Sequence, residues 1–169
     1  MSGHNKWAQI KHKKAANDAK RGQIFSKLSR LITIAARKGI DPKMNTSLSQ
    51  IIEQAKAMNM PNDNIERAVK RVSDKDSQSL NELVISAVGP GGVALKIKSI
   101  TDNSNRTIAE VKKILSDYNA KLVPPGTLDW MFNQPPILIE DAQVNTQIQN
   151  LLEALDNHDD IEEVSGNFE

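Results

Sequence analysis

The side chains best suited to chemistry in this sequence are cations, and they gather near its start. Residues 1–38 hold ten Lys or Arg side chains and one Asp. Ammonium and guanidinium groups neutralise phosphates, and Trp7 and His12 can stack on bases, although Trp7 could instead pack against neighbouring helices. This pattern predicts a nucleic-acid-binding surface formed by His4, Asn5, Lys6, Trp7, Lys11, His12, Lys13, Lys14, Lys20, Arg21, Lys27, Arg30 and Arg37.

Candidate metal ligands are present, but their spacing is unfavourable. His4, His12 and His158 are too scattered to form a ligand set, and no carboxylate accompanies them at ligand spacing, so we expect surface positions. The acids near the C-terminus do not follow the spacing of a calcium-binding loop, and we expect them to form a solvated surface. They are Asp156, Asp159, Asp160, Glu162 and Glu163. No metal site is therefore predicted.

No arrangement typical of catalysis is found either. The absence of cysteine excludes thiolate nucleophiles, disulfides and zinc–thiolate sites, and no Ser/His/Asp elbow is present. The glycine-rich segment 89–92 lacks the following Lys-Ser/Thr of a phosphate-binding loop, and it joins two predicted strands, so it is interpreted as a turn. The sequence predicts a protein that is not an enzyme and needs no cofactor.

Charge divides the chain into two contrasting parts. Residues 1–75 contain 16 basic and 6 acidic side chains, whereas residues 76–169 contain 6 basic and 15 acidic ones. Such asymmetry favours a polyanion as the partner of the first part, while the second part would be solvated or repelled by that partner.

Two further features of the sequence bear on where in the cell the protein is expected. No apolar run reaches the roughly 20 residues that span a bilayer, and the N-terminal residues lack the apolar region of a secretory signal. We expect no membrane partner and a cytoplasmic protein, with a mitochondrial location as the alternative.

Helical spacing dominates the first part. Residues 1–22 are polar and basic, which indicates a flexible arm with a short helix over residues 13–20. Apolar side chains at helical intervals then predict three helices in a domain of residues 23–76, with Lys27, Arg30 and Arg37 exposed. These helices are expected at residues 23–38, from Ser47 to Met58 with a capping box at Ser47 and Gln50, and after Pro61.

A period of two replaces this spacing in the second part, predicted as one domain of residues 80–169. Residues 83–97 indicate a hairpin around the glycine-rich turn. Further strands are expected at 122–123, 128–132, 137–139 and 161–164. Helices are expected from Thr107, with a capping box to Glu110, and over residues 144–155. The whole predicts an α+β protein, in which a three-helix domain precedes a ferredoxin-like sandwich with a mostly antiparallel sheet.

Several sequence words resemble the YebC/PmpR family, which includes mitochondrial translational activators of cytochrome c oxidase. They run in order from end to end: residues 2–7 (SGHNKW), 10–14 (IKHKK), 22–28 (GQIFSKL), 60–68 (MPNDNIERA), 89–94 (GPGGVA), 101–107 (TDNSNRT), 130–132 (WMF) and 155–169 (LDNHDDIEEVSGNFE). The resemblance implies a helical first domain followed by two α+β domains, the third inserted into the second.

The chain departs from that family pattern after Phe132. It passes almost directly to Pro135-Pro136, so the inserted third domain is expected to be missing. Residues 119–121 replace the usual Gly-Gly turn, and Pro124-Pro125 is also unlike the pattern. Functions that depend on the third domain are therefore in doubt.

The resemblance implies one of two functions, because family members are described as DNA-binding transcriptional regulators or as translation factors acting on ribosomes. We expect a translation factor that relieves difficult or stalled synthesis, because the cations lie on an arm and no recognition helix is evident. A DNA-binding regulator is the alternative, and a protein–protein adaptor using the acidic domain is the second. The expected partners are ribosomal RNA and the ribosome, and the protein is expected to be a monomer.

Overall fold

An apolar stripe with helical spacing builds the first element of the fold. The computed structural model describes residues 18–169, except for the side chains of residues 18, 19, 76 and 77. Helix α1 spans Asp18–Ala36 and buries Ile24, Leu28 and Ile32 on one face, as the spacing predicts. Residues 18–22 belong to this helix and not to the predicted arm.

Two shorter helices complete the helical unit. Helix α2 spans Thr46–Ala57, and helix α3 spans Asn62–Lys70 directly after Pro61. Their apolar faces share one buried cluster with α1, and this cluster includes Leu48, Ala55, Met60, Ile65 and Ala68.

The start of α2 is set by Asn45 and not by the predicted capping box of Ser47 and Gln50. The Asn45 side-chain oxygen accepts a hydrogen bond from the backbone N–H of Leu48 at 3.1 Å. Its amide nitrogen donates to the carbonyl oxygens of Ala35 and Gly39, each at 2.8 Å. One buried side chain thus caps α2 and ties it to the end of α1.

Two turns of 3₁₀ helix, Arg71–Ser73 and Lys75–Ser79, follow α3 in the region predicted as a linker. Among the described residues, the chain divides around them into two compact units, 18–81 and 82–169.

The second unit begins with the predicted hairpin. Strand β1 spans Asn81–Val88, strand β2 spans Ala94–Thr101, and a 3₁₀ turn over Pro90–Gly92 connects them. Gly91 has φ +72°, and a Cβ atom there would lie 2.8 Å from the Val144 side chain. Both the backbone conformation and the close approach therefore require glycine.

A four-stranded antiparallel sheet in the order β3–β1–β2–β4 forms one layer of this unit. Helix α4 spans Ser104–Asp117, β3 spans Lys121–Val123, α5 spans Ala142–Asp156, and β4 spans Ile161–Gly166. Helices and sheet share one apolar core that includes Ile85, Ile97, Leu115, Ile148 and Leu152. The α+β class is confirmed, and the chain order of this unit is ββαβαβ, whereas the ferredoxin-like order is βαββαβ.

Two predicted strands are wrong, because proline interrupts the chain around them. Residues 128–132 were expected to be extended, but Asp129–Asn133 forms a 3₁₀ turn. The turn lies beside β2, where the Lys96 ammonium is 2.9 Å from the Asp129 carboxylate and 5.1 Å from the centre of the Phe132 ring. Residues 137–139 contribute only a parallel bridge from Ile137 to Phe168. The prolines at 124, 125, 135 and 136 have no N–H to donate to a ladder.

Candidate nucleic-acid interface

The predicted binding residues divide between residues outside and inside the described part. Those outside it are His4, Asn5, Lys6, Trp7, Lys11, His12, Lys13 and Lys14. Residues 13–17 of the predicted short helix also lie outside the described part. The other five are Lys20, Arg21, Lys27 and Arg30 on α1, and Arg37 directly after it.

Lys27 does not lie where the sequence predicted it. Its side chain is 1% exposed, whereas the expectation was a solvent-facing cation. The reason is that Lys27 is three residues after Ile24 and adjacent to Leu28, so it falls within the buried stripe of α1. Arg30 is half-buried, whereas Arg37 is exposed as predicted. Lys27 is therefore not available to a phosphate in this conformation.

The exposed cations of α1 are far apart. Arg21 lies in the first part of the helix and Arg37 follows its last residue, and both are exposed. Sixteen residues of α-helix correspond to roughly 24 Å along the axis. These two side chains therefore cannot bind the same phosphate.

A groove that the sequence did not predict lies between α1 and α3. Its volume is about 270 Å³, and it is lined by Ser29, Asn64, Arg67, Ala68 and Arg71. We call it the α1–α3 groove. Thr33 fixes the two helices beside it, because its buried hydroxyl oxygen lies 2.9 Å from the Ala68 carbonyl oxygen and 2.9 Å from that of Ser29.

Arg67 is held in a defined position at this groove. Its Nε–H donates to the Asp63 carbonyl oxygen at 3.3 Å, and its NH2 group donates to the side-chain oxygen of Asn64. The guanidinium carries more N–H donors than these two bonds use. The remaining donors are directed away from the bonds to Asp63 and Asn64, because a guanidinium is planar and rigid.

A second groove of about 390 Å³ lies along the exposed side of α3. Its described lining is Asp63, Glu66, Arg67 and Lys70, which is two acids and two bases. The pairs Asp63–Arg67 and Glu66–Lys70 are each four residues apart, a spacing at which opposite charges attract on a helix. This groove is therefore electrostatically balanced, unlike the α1–α3 groove.

A signal for Arg67 and Arg71 was present in the sequence. The two arginines are four residues apart, Arg67 in the last turn of α3 and Arg71 directly after it, and this spacing places side chains on one face of a helix. The contribution of Ser29 was not accessible in the same way, because only the folded chain brings it beside residues more than thirty positions later.

The acidic unit contains a polar network of a different kind. The buried Asp160 carboxylate accepts hydrogen bonds from the Thr107 hydroxyl at 2.8 Å and from the Arg106 guanidinium at 3.1 Å. Arg106 also pairs with Asp102 at 2.8 Å. Residues 101–107 and 155–169, two of the recognised sequence words, are thus joined in space.

These contacts set the charge state of the network. Burial alone would raise the pKa of Asp160, but the hydrogen bonds from Thr107 and Arg106 outweigh burial and lower it. The same pairing, mainly the hydrogen bond to Asp160, raises the pKa of Arg106. Both groups are therefore charged at neutral pH.

Thr107 and Glu110 do not form the predicted capping box. Asn103 caps α4 instead, because its side chain accepts from the Arg106 N–H at 3.1 Å. Glu110 lies 2.8 Å from His158 Nε2. A carboxylate therefore does accompany His158, contrary to the expectation from sequence spacing, because the partner is 48 residues away.

Glu110, His158 and Asp160 place three potential ligand atoms within 4.8 Å of one another. Their bonding argues for a protein network and not for a cation. The Asp160 N–H donates to His158 Nδ1 at 3.1 Å, so Nε2 of the neutral ring carries the proton and donates it to Glu110. The Asp160 carboxylate is also compensated by Arg106.

The sequence predicted that the C-terminal acids form one solvated surface, and this prediction is wrong. Asp156, Asp160 and Glu162 are buried, whereas Asp159 is exposed and Glu163 is intermediate. Glu163 pairs with Lys98 at 3.1 Å across the neighbouring strands. The exposed negative charge of this segment is therefore smaller than its composition indicates.

Within residues 18–169, no helix is both long and apolar enough to cross a membrane.

Two family descriptions match the chain. Residues 5–75 match the TACO1/YebC protein N-terminal domain, and residues 80–140 match the TACO1/YebC second and third domain.

Relatives of known sequence carry the name "Probable transcriptional regulatory protein". The one from Halothermothrix orenii is 48% identical over 92% of this chain and 63% of its own length. The one from Finegoldia magna is 44% identical over 92% of this chain and 66% of its own length. The chain thus spans just under two thirds of these relatives.

A solved structure, the conserved hypothetical protein Aq1575 from Aquifex aeolicus, has a similar fold. The TM-score is 0.79 at 27% identity, and the match covers 90% of this chain and 91% of that one. With both family descriptions matched in order along most of its length, the chain belongs to the TACO1/YebC family.

Proposed function

We propose that this protein is a non-enzymatic translation factor that binds ribosomal RNA through its basic N-terminal arm and its helical domain, which together span residues 1–76. The observation that carries the proposal is the charge division of the chain: residues 1–75 have a net charge of +10 and residues 76–169 one of −9. Phosphate neutralisation and counterion release favour binding by the first part. The second part is repelled by the same phosphates.

The acidic domain then serves to position the protein. Its polar groups Arg106, Thr107 and Asp160 bond to one another, so in this proposal they stabilise the fold of the domain. In this proposal the domain faces a protein or solvent while the arm and the helices contact RNA. The protein acts by holding the ribosome in a productive state and not by covalent chemistry.

A DNA-binding transcriptional regulator is the alternative, and two observations favour it. The relatives are named as transcriptional regulatory proteins, and α2 and α3 are joined by only four residues, a length typical of a helix-turn-helix.

The charges on α3 argue against that alternative. A recognition helix contacts base edges with its N-terminal residues. The first half of α3 carries Asp63 and Glu66, whereas its cations Arg67 and Lys70 lie in the last turn. Docking of this N-terminus in a major groove would bring carboxylates close to DNA, which is unfavourable.

A protein–protein adaptor is the second alternative. Trp130 is 62% exposed and Leu138 is 66% exposed, both in the acidic unit. Exposed aromatic side chains are enriched at protein interfaces. These residues could contact a ribosomal protein, so this activity is compatible with the main proposal.

Co-sedimentation with ribosomes across a salt series tests the proposal. We expect the full chain to sediment with ribosomes at low salt and to dissociate as salt rises. The triple variant Lys11→Ala, Lys13→Ala, Lys14→Ala should bind RNA more weakly, with the log–log salt slope reduced by about 0.7–0.9 per lost phosphate contact.

Competition with free nucleic acids distinguishes RNA binding from DNA binding. Excess ribosomal RNA should release the protein from ribosomes, whereas an equal mass of duplex DNA should not. Preferential binding to duplex DNA, or an unchanged affinity and salt slope in the triple variant, would contradict the proposal.

A further inference from the structure

We infer that the α1–α3 groove binds the sugar–phosphate backbone of a single RNA strand, through Arg67 and Arg71 with Ser29 and Asn64 as additional donors. This inference rests on the proposed function and assigns a specific site to it.

Charge distinguishes this groove from its neighbour. The described lining of the α1–α3 groove contains two arginines and no carboxylate, whereas the adjacent groove balances Arg67 and Lys70 with Asp63 and Glu66. The electrostatic attraction for an anion is therefore stronger in the α1–α3 groove, although both grooves share Arg67.

Spacing of the arginines supports an anion between or beside them. Arg67 and Arg71 are both exposed and lie four residues apart, which is roughly 6 Å along a helix axis. Like charges at this spacing repel each other and destabilise a helix. A phosphate within reach of both guanidiniums removes that repulsion.

Arg67 is pre-organised for such a contact. Its bonds to the Asp63 carbonyl oxygen and to the Asn64 side chain fix one edge of the guanidinium. Because the Asn64 oxygen accepts from Arg67, the amide N–H2 of Asn64 is the group left to donate to a ligand. Little side-chain entropy is then lost on binding.

The groove recognises backbone and not bases. None of its described lining residues is aromatic, so it lacks the aromatic side chains on which successive bases stack in single-strand binding proteins. Guanidinium, amide and hydroxyl donors are the groups that contact phosphate and sugar oxygens. Binding at this site should therefore be independent of sequence.

The test uses the full chain with the double substitution Arg67→Gln and Arg71→Gln. Lys56→Gln is the matched control, because Lys56 is exposed, lies in the last turn of α2 and does not line the groove. Affinity for a ribosomal RNA fragment is measured over a salt series, together with the thermal midpoint of each variant.

We expect the double variant to lose about 25-fold in affinity at 0.1 M salt and about 1.4 units of log–log slope, which is two phosphate contacts at 0.7 each. The Lys56→Gln control should lose less than the 0.7 units of slope that correspond to one phosphate contact. Arg67→Lys, which keeps the charge, should retain the salt slope but bind more weakly, because an ammonium cannot form the two parallel hydrogen bonds that a guanidinium can make to one phosphate.

Three results would overturn the inference, and they differ from one another. If the double variant binds RNA like the wild type while the arm variant does not, the proposed function stands and the groove has no part in it. If only the thermal midpoint falls, the arginines serve the C-terminus of α3. If the wild-type chain itself binds no RNA, the proposed function fails as well.

Discussion

Asp160 joins two distant parts of the acidic unit through a single carboxylate. Thr107 and Arg106, more than fifty residues earlier, both donate to its Oδ2 atom. The Asp160 backbone N–H meanwhile fixes the tautomer of His158. Sequence spacing could not reveal this network, because each residue looks like an ordinary polar surface position until the fold brings the residues just before β4 to the first turns of α4.

The lowered pKa of Asp160 makes the stability of the acidic unit depend on pH. Since the carboxyl titrates at a lower pH in the folded chain than the usual value of about 3.9, its ionised form stabilises the fold above that value. This stabilisation is lost as pH falls through the folded pKa. Asp160→Asn should cost about 1–3 kcal/mol at pH 7, and the cost should shrink as the pH falls through the lowered pKa of Asp160.

Fluorescence of Trp130 in a Trp7→Phe background reports on this unit alone, because the chain has two tryptophans. Urea unfolding at several pH values, with and without Asp160→Asn in this background, gives the difference in the free energy of unfolding. A cost that does not change from pH 7 to pH 2.5 would show that Asp160 acts through packing and not through its charge.

At the scale of elements, the long periodic patterns were predictive and the short polar signals were not. The hairpin and the helices follow from apolar spacing that local chemistry reinforces. Both capping boxes were wrong, because Asn45 and Asn103 lie just upstream and cap the same helices. The apolar run at 128–132 has no alternation, so length and composition alone could not distinguish a strand from a turn.

The two candidate caps of α2 give a direct comparison. Asn45→Ala removes the cap and leaves the carbonyl oxygens of Ala35 and Gly39 without this donor, so it should destabilise the helical unit by about 1–3 kcal/mol. Ser47→Ala, the matched control two residues away and exposed, should change stability by less than about 0.5 kcal/mol. Thermal unfolding followed by helical circular dichroism measures both, and equal effects would mean that the cap is misassigned.

The candidate nucleic-acid interface could be predicted from the sequence only in part. Lys20, Arg21 and Arg37 lie on or beside one helix and follow from local composition. The α1–α3 groove requires Ser29 and Arg71 to line the same cavity, and that placement depends on how the buried faces of the two helices pack. Lys27 was misplaced for a related reason, since one position of the stripe can hold either an apolar residue or the stem of a lysine.

At the scale of the molecule, the central question is whether residues 80–169 are one continuous domain. Their apolar core is contiguous across the sheet, α4 and α5. We predict that an isolated fragment of residues 78–169 unfolds in one cooperative transition, without the third domain that the family resemblance implies. Leu115→Ala should cost about 2–5 kcal/mol, because this side chain is 1% exposed.

Denaturation of the fragment, followed in parallel by circular dichroism and Trp130 fluorescence, measures this prediction. Ile108→Ala is the matched control on the same helix, since Ile108 is 36% exposed and should cost much less. A fragment with no sheet signal, or with two separate transitions, would refute the single domain.

The borders of the sheet have a consequence for behaviour at high concentration. At one edge, β3 has only three residues and runs into Pro124 and Pro125, which have no N–H to offer. Beyond the end of β4 at the other edge, Ile137 pairs with the chain through bonds to Asn167 and Glu169 at 2.7 and 3.0 Å. Another copy therefore finds little unpaired backbone to extend at these two places, which disfavours strand-to-strand aggregation there.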